Sequence, residues 1–124
     1  MRLATPFDPL EVGEIDTFVF DFTPDVGSTY LLDTEWTCQL TSFSAGFDPD
    51  PNSRVQNQRV ATMYQTRGPD DSIQTKAGQF SLADIGPFPA SAAGATYILD
   101  ALVYLSDGRQ IALNTTVQCV LPGQ

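Results

Sequence analysis

The stretch that decides the fold is residues 97–121, YILDALVYLSDGRQIALNTTVQCVL. On each side of Asp107-Gly108, every second residue is mainly apolar, and this period of two is typical of β-strands. An Asp-Gly pair readily supplies the two positive φ angles that a type I′ turn needs. The segment therefore predicts a β-hairpin near the C-terminal end of the chain.

Strand patterns also occur upstream of this hairpin. Residues 14–22 alternate and place Phe18, Phe20 and Phe22 on one face. Residues 34–41 alternate as well and place Trp36 and Cys38 on one face. Residues 58–66 alternate as well, whereas residues 72–82 predict one weak strand or two that break near Gly78, and residues 81–85 also permit one helical turn. About seven short strands separated by turns predict an all-β fold, an immunoglobulin-like antiparallel β-sandwich, with a small barrel as the alternative.

The chain has 124 residues, which is the length of one domain. Residues 1–13 contain Pro6 and Pro9 and predict an extended N-terminal arm that lies over the domain or reaches away from it. Residues 14–124 then form a single β-sandwich domain. Within it, residues 43–57 contain two Asp-Pro pairs and predict a long exposed loop, because proline donates no ladder hydrogen bond.

The charge balance is strongly acidic, with six Lys and Arg against 15 Asp and Glu and a net charge of -9. Such a chain repels polyphosphate, so we expect no nucleic-acid partner, and its scattered cations predict no membrane partner. No apolar run resembles a signal peptide or a membrane span, so we expect a cytosol-like compartment. There Cys38 and Cys119 are predicted to be buried thiols, or neighbours across two sheets that form a disulfide.

The sequence lacks histidine, which excludes Ser-His-Asp and Cys-His catalysis. We expect no catalytic residues, no cofactor and no metal. Asp48, Asp50 and Asn52 resemble the start of a calcium loop, but the intervening prolines and a missing glycine break that pattern. Asp100 lies in an apolar strand and is expected to face solvent or to accept hydrogen bonds at a sheet edge. Tyr97 is predicted to tie its hydroxyl to a nearby corner.

Three short motifs resemble a family of small tailed-phage virion proteins, the fibre-to-tail adaptor proteins. Residues 7–12, FDPLEV, resemble the acidic start of that family, and Glu35-Trp36-Thr37 resembles its central strand. Residues 94–97, GATY, with the later DGR turn at 107–109, resemble its C-terminal strand pair. The resemblance implies an immunoglobulin-like module that is present in several copies, in a symmetric ring.

The resemblance also implies a function. It predicts a non-enzymatic structural or adaptor protein of a tailed-phage virion, assembled in the host cytoplasm, with tail, fibre, portal or head-tail connector proteins as partners. The predicted partner contacts are Phe7, Asp8, Pro9, Leu10, Phe47, Asp48 and Asp50.

Two other functions remain as alternatives. The first is a carbohydrate-binding β-sandwich that uses exposed aromatic rings such as Tyr30, Phe47 or Tyr64 as sugar platforms. The second is a carboxylate-based hydrolase, which is disfavoured because the sequence pattern places no two acids together. Loss of glycan binding on mutation of those rings distinguishes the first alternative from a virion protein.

Overall fold

The computed structural model describes residues 2–3, 7–41, 45–67, 70 and 72–121. The strands within these ranges are β1 Arg2–Leu3, β2 Leu10–Glu11, β3 Asp16–Asp21, β4 Leu31–Leu40, β5 Val55–Arg67, β6 Ile73–Ile85, β7 Thr96–Leu105 and β8 Gln110–Val120. Helical segments are short: α1 Thr23–Val26 and the 3-10 helices Pro51–Arg54 and Ala90–Ala92. The prediction of an all-β chain is confirmed.

The strands form two sheets. In the first sheet β4, β7 and β8 are neighbours in that order, and both β1 and β2 run parallel to β8 along its other side. The second sheet has the order β3-β6-β5, with antiparallel neighbours. The predicted C-terminal hairpin is therefore confirmed, and its strand β7 is the central strand of the first sheet between β4 and β8.

One apolar core lies between the two sheets. The ring of Phe20 on β3 lies 5.0 Å, centroid to centroid, from the ring of Trp36 on β4. Ser81 on β6 is a buried polar link, since its hydroxyl accepts a hydrogen bond from Trp36 Nε1 at 2.7 Å and lies 2.6 Å from Thr34 Oγ1. Because buried polar groups are costly unless they are paired, these contacts fix how the two sheets face each other.

The turn of the C-terminal hairpin is not the predicted type I′. Gly108 has φ +90°, but among the described non-glycine residues only Asn57 has a positive φ. Leu105 N donates to Arg109 O at 2.8 Å, and Gly108 N donates to Leu105 O at 3.0 Å. The Asp107 carboxylate accepts the Arg109 N–H at 3.0 Å, which supports a longer turn in which glycine alone is left-handed.

Strand β6 is continuous from Ile73 to Ile85, so the helical turn predicted at 81–85 is wrong. Residues 81–85 pair with β3, and this ladder overrides any local helical tendency. The predicted break at Gly78 is a β-bulge, because Ala61 pairs with Phe80 whereas Met63 pairs with Ala77. A methyl group on Gly78 would overlap Thr23 Oγ1, which explains the glycine at this position.

Candidate functional site

The predicted N-terminal arm lies along the domain where the structure describes it. Phe7 N donates to Thr116 O at 3.0 Å, and the Phe7 ring stacks on Phe18 with centroids 4.7 Å apart. Leu10 is only 2% exposed and belongs to the core, so its predicted role as a surface contact is wrong. The other two predicted contacts of the arm are exposed: Asp8 and Pro9. Residues 1 and 4–6 lie outside the described ranges.

Asp48 is the second predicted contact that the structure buries, at 3% exposure. Its Oδ2 accepts hydrogen bonds from Tyr97 Oη at 2.7 Å and Arg54 Nε at 2.9 Å. Its Oδ1 accepts hydrogen bonds from Arg54 Nη2 at 2.9 Å and Asp50 N at 3.0 Å. The predicted exposure of Asp48 is wrong because this carboxylate fastens the loop to the start of β7. The Tyr97 hydroxyl thus has the predicted structural role, with a carboxylate as its acceptor.

The hydrogen-bond partners of Asp48 also set its charge. The Arg54 guanidinium lowers the pKa of Asp48 to about 2, against the opposing effect of burial, with smaller contributions from the Asp50 N–H and the Tyr97 hydroxyl. Burial and the Asp48 carboxylate raise the pKa of Tyr97. Four hydrogen bonds use the acceptor capacity of Asp48, and Asn52 Oδ1 accepts the Cys38 N–H at 3.1 Å. Two side chains of the predicted calcium-like loop therefore serve the fold.

No group of three or more His, Cys, Asp or Glu side chains is placed to hold a metal ion, as far as the described ranges extend. Two clefts of about 280 Å³ and about 240 Å³ are described, and no carboxylate or basic side chain lines either. The first lies at the end of β8 and the second beside Gln79 at the junction of the two sheets.

The two cysteines lie in the same sheet, so the alternative that they are neighbours across two sheets is wrong. Cys38 is on β4 and Cys119 is on β8, with β7 between them, and both are free and buried. Burial, and secondly the Asp48 carboxylate, raise the pKa of Cys38 to about 12 and also raise the pKa of Cys119. Both groups are therefore protonated, unreactive thiols at neutral pH.

The exposed aromatic rings lie at opposite ends of the domain. Phe47 is 64% exposed, and its N–H donates to Ser91 O at 2.9 Å, just before β7 begins. Tyr30 is 55% exposed, and its carbonyl accepts the N–H of Ser106 at 2.9 Å, just after β7 ends. Strand β7 has 10 residues and spans about 33 Å, so the two rings cannot form one sugar platform. The side chain of Tyr64 lies outside the described parts.

The β4 edge, the free side of strand β4, is closed by side chains. Four of its backbone N–H groups donate to side-chain oxygens at 2.8–3.1 Å: Leu31 to Gln79, Thr34 to Asp33, Trp36 to Gln58 and Cys38 to Asn52. An edge strand recruits another strand through unpaired N–H and C=O groups. The β4 edge is therefore blocked against strand addition along most of its length.

The outer face, the side of the β4–β7–β8 sheet that points away from the core, contains a buried carboxylate oxygen. Asp100 is central on this face, opposite Thr37 on β4 and Asn114 on β8. Its Oδ1 is buried without a hydrogen-bond partner, and burial raises the pKa of Asp100. The alternative that Asp100 accepts hydrogen bonds at a sheet edge is wrong, because β7 is the central strand.

Apolar and acidic side chains surround Asp100 on the outer face. Ile98 and Leu102 precede and follow it on β7, and both are half-buried. Asp33 and Glu35 on β4 are exposed, and they pair with Tyr104 and Leu102 in the ladder. Desolvation, and secondly the Glu35 carboxylate, raise the pKa of Tyr104. The outer face is thus an apolar strip with negative charge at its centre and along one side.

The ribbon, residues 62–67 of β5 and 73–77 of β6, extends beyond the second sheet. Strand β3 pairs with β6 from Phe80 to Ile85, and past that point β5 is the one neighbour of β6 among the described strands. Every side chain of the ribbon that the structure describes is exposed, including Met63 at 61% and Ile73 at 65%. As far as the structure describes the chain, each strand of the ribbon therefore has one unpaired edge, and the apolar side chains of Met63 and Ile73 face solvent.

Comparison with family models, curated proteins and solved structures gives no match. No helix in the described ranges is long and apolar enough to cross a membrane. The function of the chain is therefore argued from its surfaces. Among them the ribbon and the outer face, which the sequence did not single out, stand beside the predicted contacts Phe47 and Asp50, which are exposed.

Proposed function

We propose that this chain is a non-enzymatic adaptor protein of a tailed-phage virion, which docks fibres or neighbouring proteins on the tail or at the head-tail junction. The observation that carries the proposal is the ribbon. An isolated two-stranded ribbon is marginally stable in water and gains stability when another surface covers it. Exposure of Met63 and Ile73 on such an element favours a role in assembly.

The strand order supports the immunoglobulin-like part of the proposal. Sheets β4–β7–β8 and β3–β6–β5 have the same order as the C-F-G and B-E-D strands of an immunoglobulin sandwich. Trp36 is buried on β4, where that fold places its core tryptophan, and Tyr97 lies near the start of the F-equivalent strand β7. Cys38 and Cys119 depart from the antibody pattern, since they occupy the C- and G-equivalent strands.

Two predicted contact regions lie at the same end of the domain, which supports a shared docking surface there. Strand β2 pairs with the last residues of β8, where Leu10 is opposite Cys119. Gly94 N donates to Cys119 O at 2.9 Å, and a Cβ at Gly94 would lie 3.6 Å from Ala45 Cβ. The loop that carries Phe47 therefore approaches the end of β8 on which the arm lies.

The proposal is tested on particles purified from the phage that encodes the chain. Quantitative mass spectrometry gives the copy number of the chain relative to the major capsid protein. We expect a fixed whole-number ratio that persists through density-gradient purification and high-salt washing. Absence of the chain from particles, while it is abundant in infected cells, would contradict a virion function.

A second experiment assigns the docking to surfaces of the chain. The particles are made with Asp8→Lys or Phe47→Ser at the predicted surface, or with Ser28→Lys as an exposed control before β4. We expect the first two variants to lower the copy number of the chain or of a neighbouring protein, because they alter exposed contacts without touching the core. Equal effects of all three variants would show that docking does not use this surface.

A further inference from the structure

We propose that the arm strand, residues 7–12, is exchanged between copies, so that the arm strand of one copy lies in the same groove of a neighbouring copy. This inference rests on the proposed function, because it names a second copy of the chain as one partner in the assembly. The structure itself gives the occupant of the groove, since the arm strand fills that groove within one copy.

The groove lies between the edge of β8 that faces away from β7 and the aromatic side chains of β3. On the β8 side, Thr116 O accepts the N–H of Phe7 at 3.0 Å, and β2 continues the pairing along β8. On the β3 side, the rings of Phe18 and Phe20 lie 4.7 Å and 5.1 Å from the Phe7 ring, centroid to centroid. The arm strand is thus held by backbone hydrogen bonds and apolar side chains, as is a peptide that adds to a sheet edge.

The sequence of the arm strand makes it a preformed ligand. Pro9 fixes its own φ at about −65° and restricts Asp8 to extended backbone. The two side chains that pack on the core, Phe7 and Leu10, are three residues apart, which is the repeat of an extended polyproline II helix. Leu10 is buried, whereas Asp8 and Pro9 are exposed. A segment that is already extended loses little conformational entropy on binding, whichever copy supplies the groove.

A short hinge connects the arm strand to the rest of the domain. Residues 11–14 form a turn, because Glu14 N donates to Glu11 O at 3.0 Å and Glu14 Oε1 accepts the Glu11 N–H at 2.9 Å. Gly13 has φ +82°, so the turn that folds the arm strand back on its own copy depends on left-handed backbone. Extended backbone at residues 12–15 spans up to about 14 Å and carries the arm strand away from its own groove. The conformation of Gly13 therefore decides between a folded-back and an extended hinge.

Exchange preserves the contacts of the arm strand. A copy whose hinge is extended exposes the edge of β8 and the ring of Phe18, and an unpaired edge beside an apolar ring attracts another strand. The arm strand of a second copy restores the same hydrogen bonds and ring contacts, so exchange costs little beyond the entropy of association. Each copy gives one arm strand and accepts one, so the association closes as a reciprocal pair or as a ring.

A disulfide between two copies tests the exchange directly. Glu11 and Val120 are opposite each other in the parallel pairing of β2 with β8, and both are half-buried. Neighbouring strands lie about 4.8 Å apart, a separation that a disulfide bridges. Chains with Glu11→Cys and chains with Val120→Cys, both also carrying Cys119→Ala to remove the adjacent thiol, are mixed in equal amounts, incubated and oxidised with diamide. A bond between positions 11 and 120 then requires the arm strand of one copy on β8 of the other.

We expect a covalent heterodimer on a non-reducing gel, and mass spectrometry should find peptides linked through positions 11 and 120. Ala112→Cys replaces Val120→Cys in the matched control, because residue 112 is half-buried, lies on the same face of β8 and is about 27 Å from residue 120. The control is expected to give at least about tenfold less heterodimer. One chain with both Glu11→Cys and Val120→Cys verifies the pair, since its bond also closes within a copy. A mixture with no more heterodimer than the control, or a double variant that forms no bond, would overturn the proposal.

The hinge gives a second readout. Gly13→Val places a β-branched residue at φ +82°, which strains the folded-back turn but not an extended hinge. We expect the association constant measured by sedimentation velocity to rise about tenfold. Gly27→Val is the matched control, because Gly27 has φ +59°, lies outside the hinge and, like Gly13, has open space around an added Cβ. Equal association constants of the two variants would overturn the assigned hinge.

Failure of this inference is distinguishable from failure of the proposed function. A chain that is present in purified particles but never forms the bond between positions 11 and 120 of two copies keeps its virion role and loses the exchange. A chain that exchanges arm strands but is absent from particles loses the virion role and keeps the exchange.

Discussion

The β4 edge and the ribbon both contain strands that have no neighbour on one side among the described residues, but the side chains along these two edges differ. At the β4 edge, Gln58 and Asn52 place side-chain oxygens on the backbone N–H groups of Trp36 and Cys38. On the ribbon, exposed apolar side chains such as Met63 accompany the unpaired edges. The β4 edge is thus closed by polar side chains of the same chain, whereas the ribbon is the element to which the proposed function assigns a partner.

The largest loss of stability is expected where the contacts of the Asp48 carboxylate are removed. Asp48→Ala leaves the Tyr97 hydroxyl and the Arg54 guanidinium without their acceptor, so we expect a loss of about 3 kcal/mol in the free energy of unfolding. Urea denaturation followed by tryptophan fluorescence measures it. Asp50→Ala, which changes an exposed neighbour, is the control, and an equal loss in both variants would refute the role of Asp48.

Acid is expected to lower the stability of the domain through the same Asp48 carboxylate. The pKa of Asp48 is about 2 in the folded chain against an ordinary value of 3.8, so the charged form stabilises the fold above pH 3.8. This stabilisation, about 2 kcal/mol, is lost as the pH falls through the folded pKa. Urea titrations at a series of pH values from about 5 to about 2 measure the loss. Asp48→Ala should lack this part of the pH dependence, and an unchanged dependence would contradict the assignment.

Opening the β4 edge is expected to have a smaller effect. Gln58→Leu leaves the Trp36 N–H without its acceptor and is expected to cost about 1–2 kcal/mol. It also exposes one position for strand pairing, which light scattering during partial unfolding detects as faster aggregation. Gln65→Leu on the ribbon is the matched control, and we expect its stability to change by less than about 0.5 kcal/mol. Similar values for both variants would remove the distinction between the two edges.

The smallest effect on stability is expected on the ribbon. Met63→Ser and Ile73→Ser change exposed side chains, so each variant is expected to unfold within about 0.5 kcal/mol of the unaltered chain. Thermal unfolding monitored by circular dichroism checks this. A loss of more than about 1 kcal/mol would show that the ribbon belongs to the folded core, and Phe20→Ala gives the scale for a core residue.

The sequence was most informative where each strand buries one face. The alternation in residues 14–22 predicts Phe18, Phe20 and Phe22 on one face, and all three are buried. The alternation around Asp107-Gly108 predicts the C-terminal hairpin in the same way. Period-two alternation follows from the pleat of a strand, so it is visible without knowledge of the partner strands.

The candidate site was less accessible from sequence, because it depends on contacts between distant segments. Asp48 precedes Pro49 in a stretch with the composition of an exposed loop. Its burial depends on Arg54 and on the Tyr97 hydroxyl, which is 49 positions away. The ribbon depends on how far β3 extends along β6, which no local pattern of β6 reveals. Asp100 was noticed as unusual, but its missing partner depends on the packing of the outer face.

The two buried thiols, Cys38 and Cys119, can report on transient opening of the domain. Cys38 and Cys119 are 1% and 0% exposed, and their pKa values are raised by burial, so alkylating reagents reach them only when the sheets separate. The labelling rate thus measures the population of opened molecules. Since neither thiol is on the ribbon, a partner bound there slows labelling only if it steadies the whole domain.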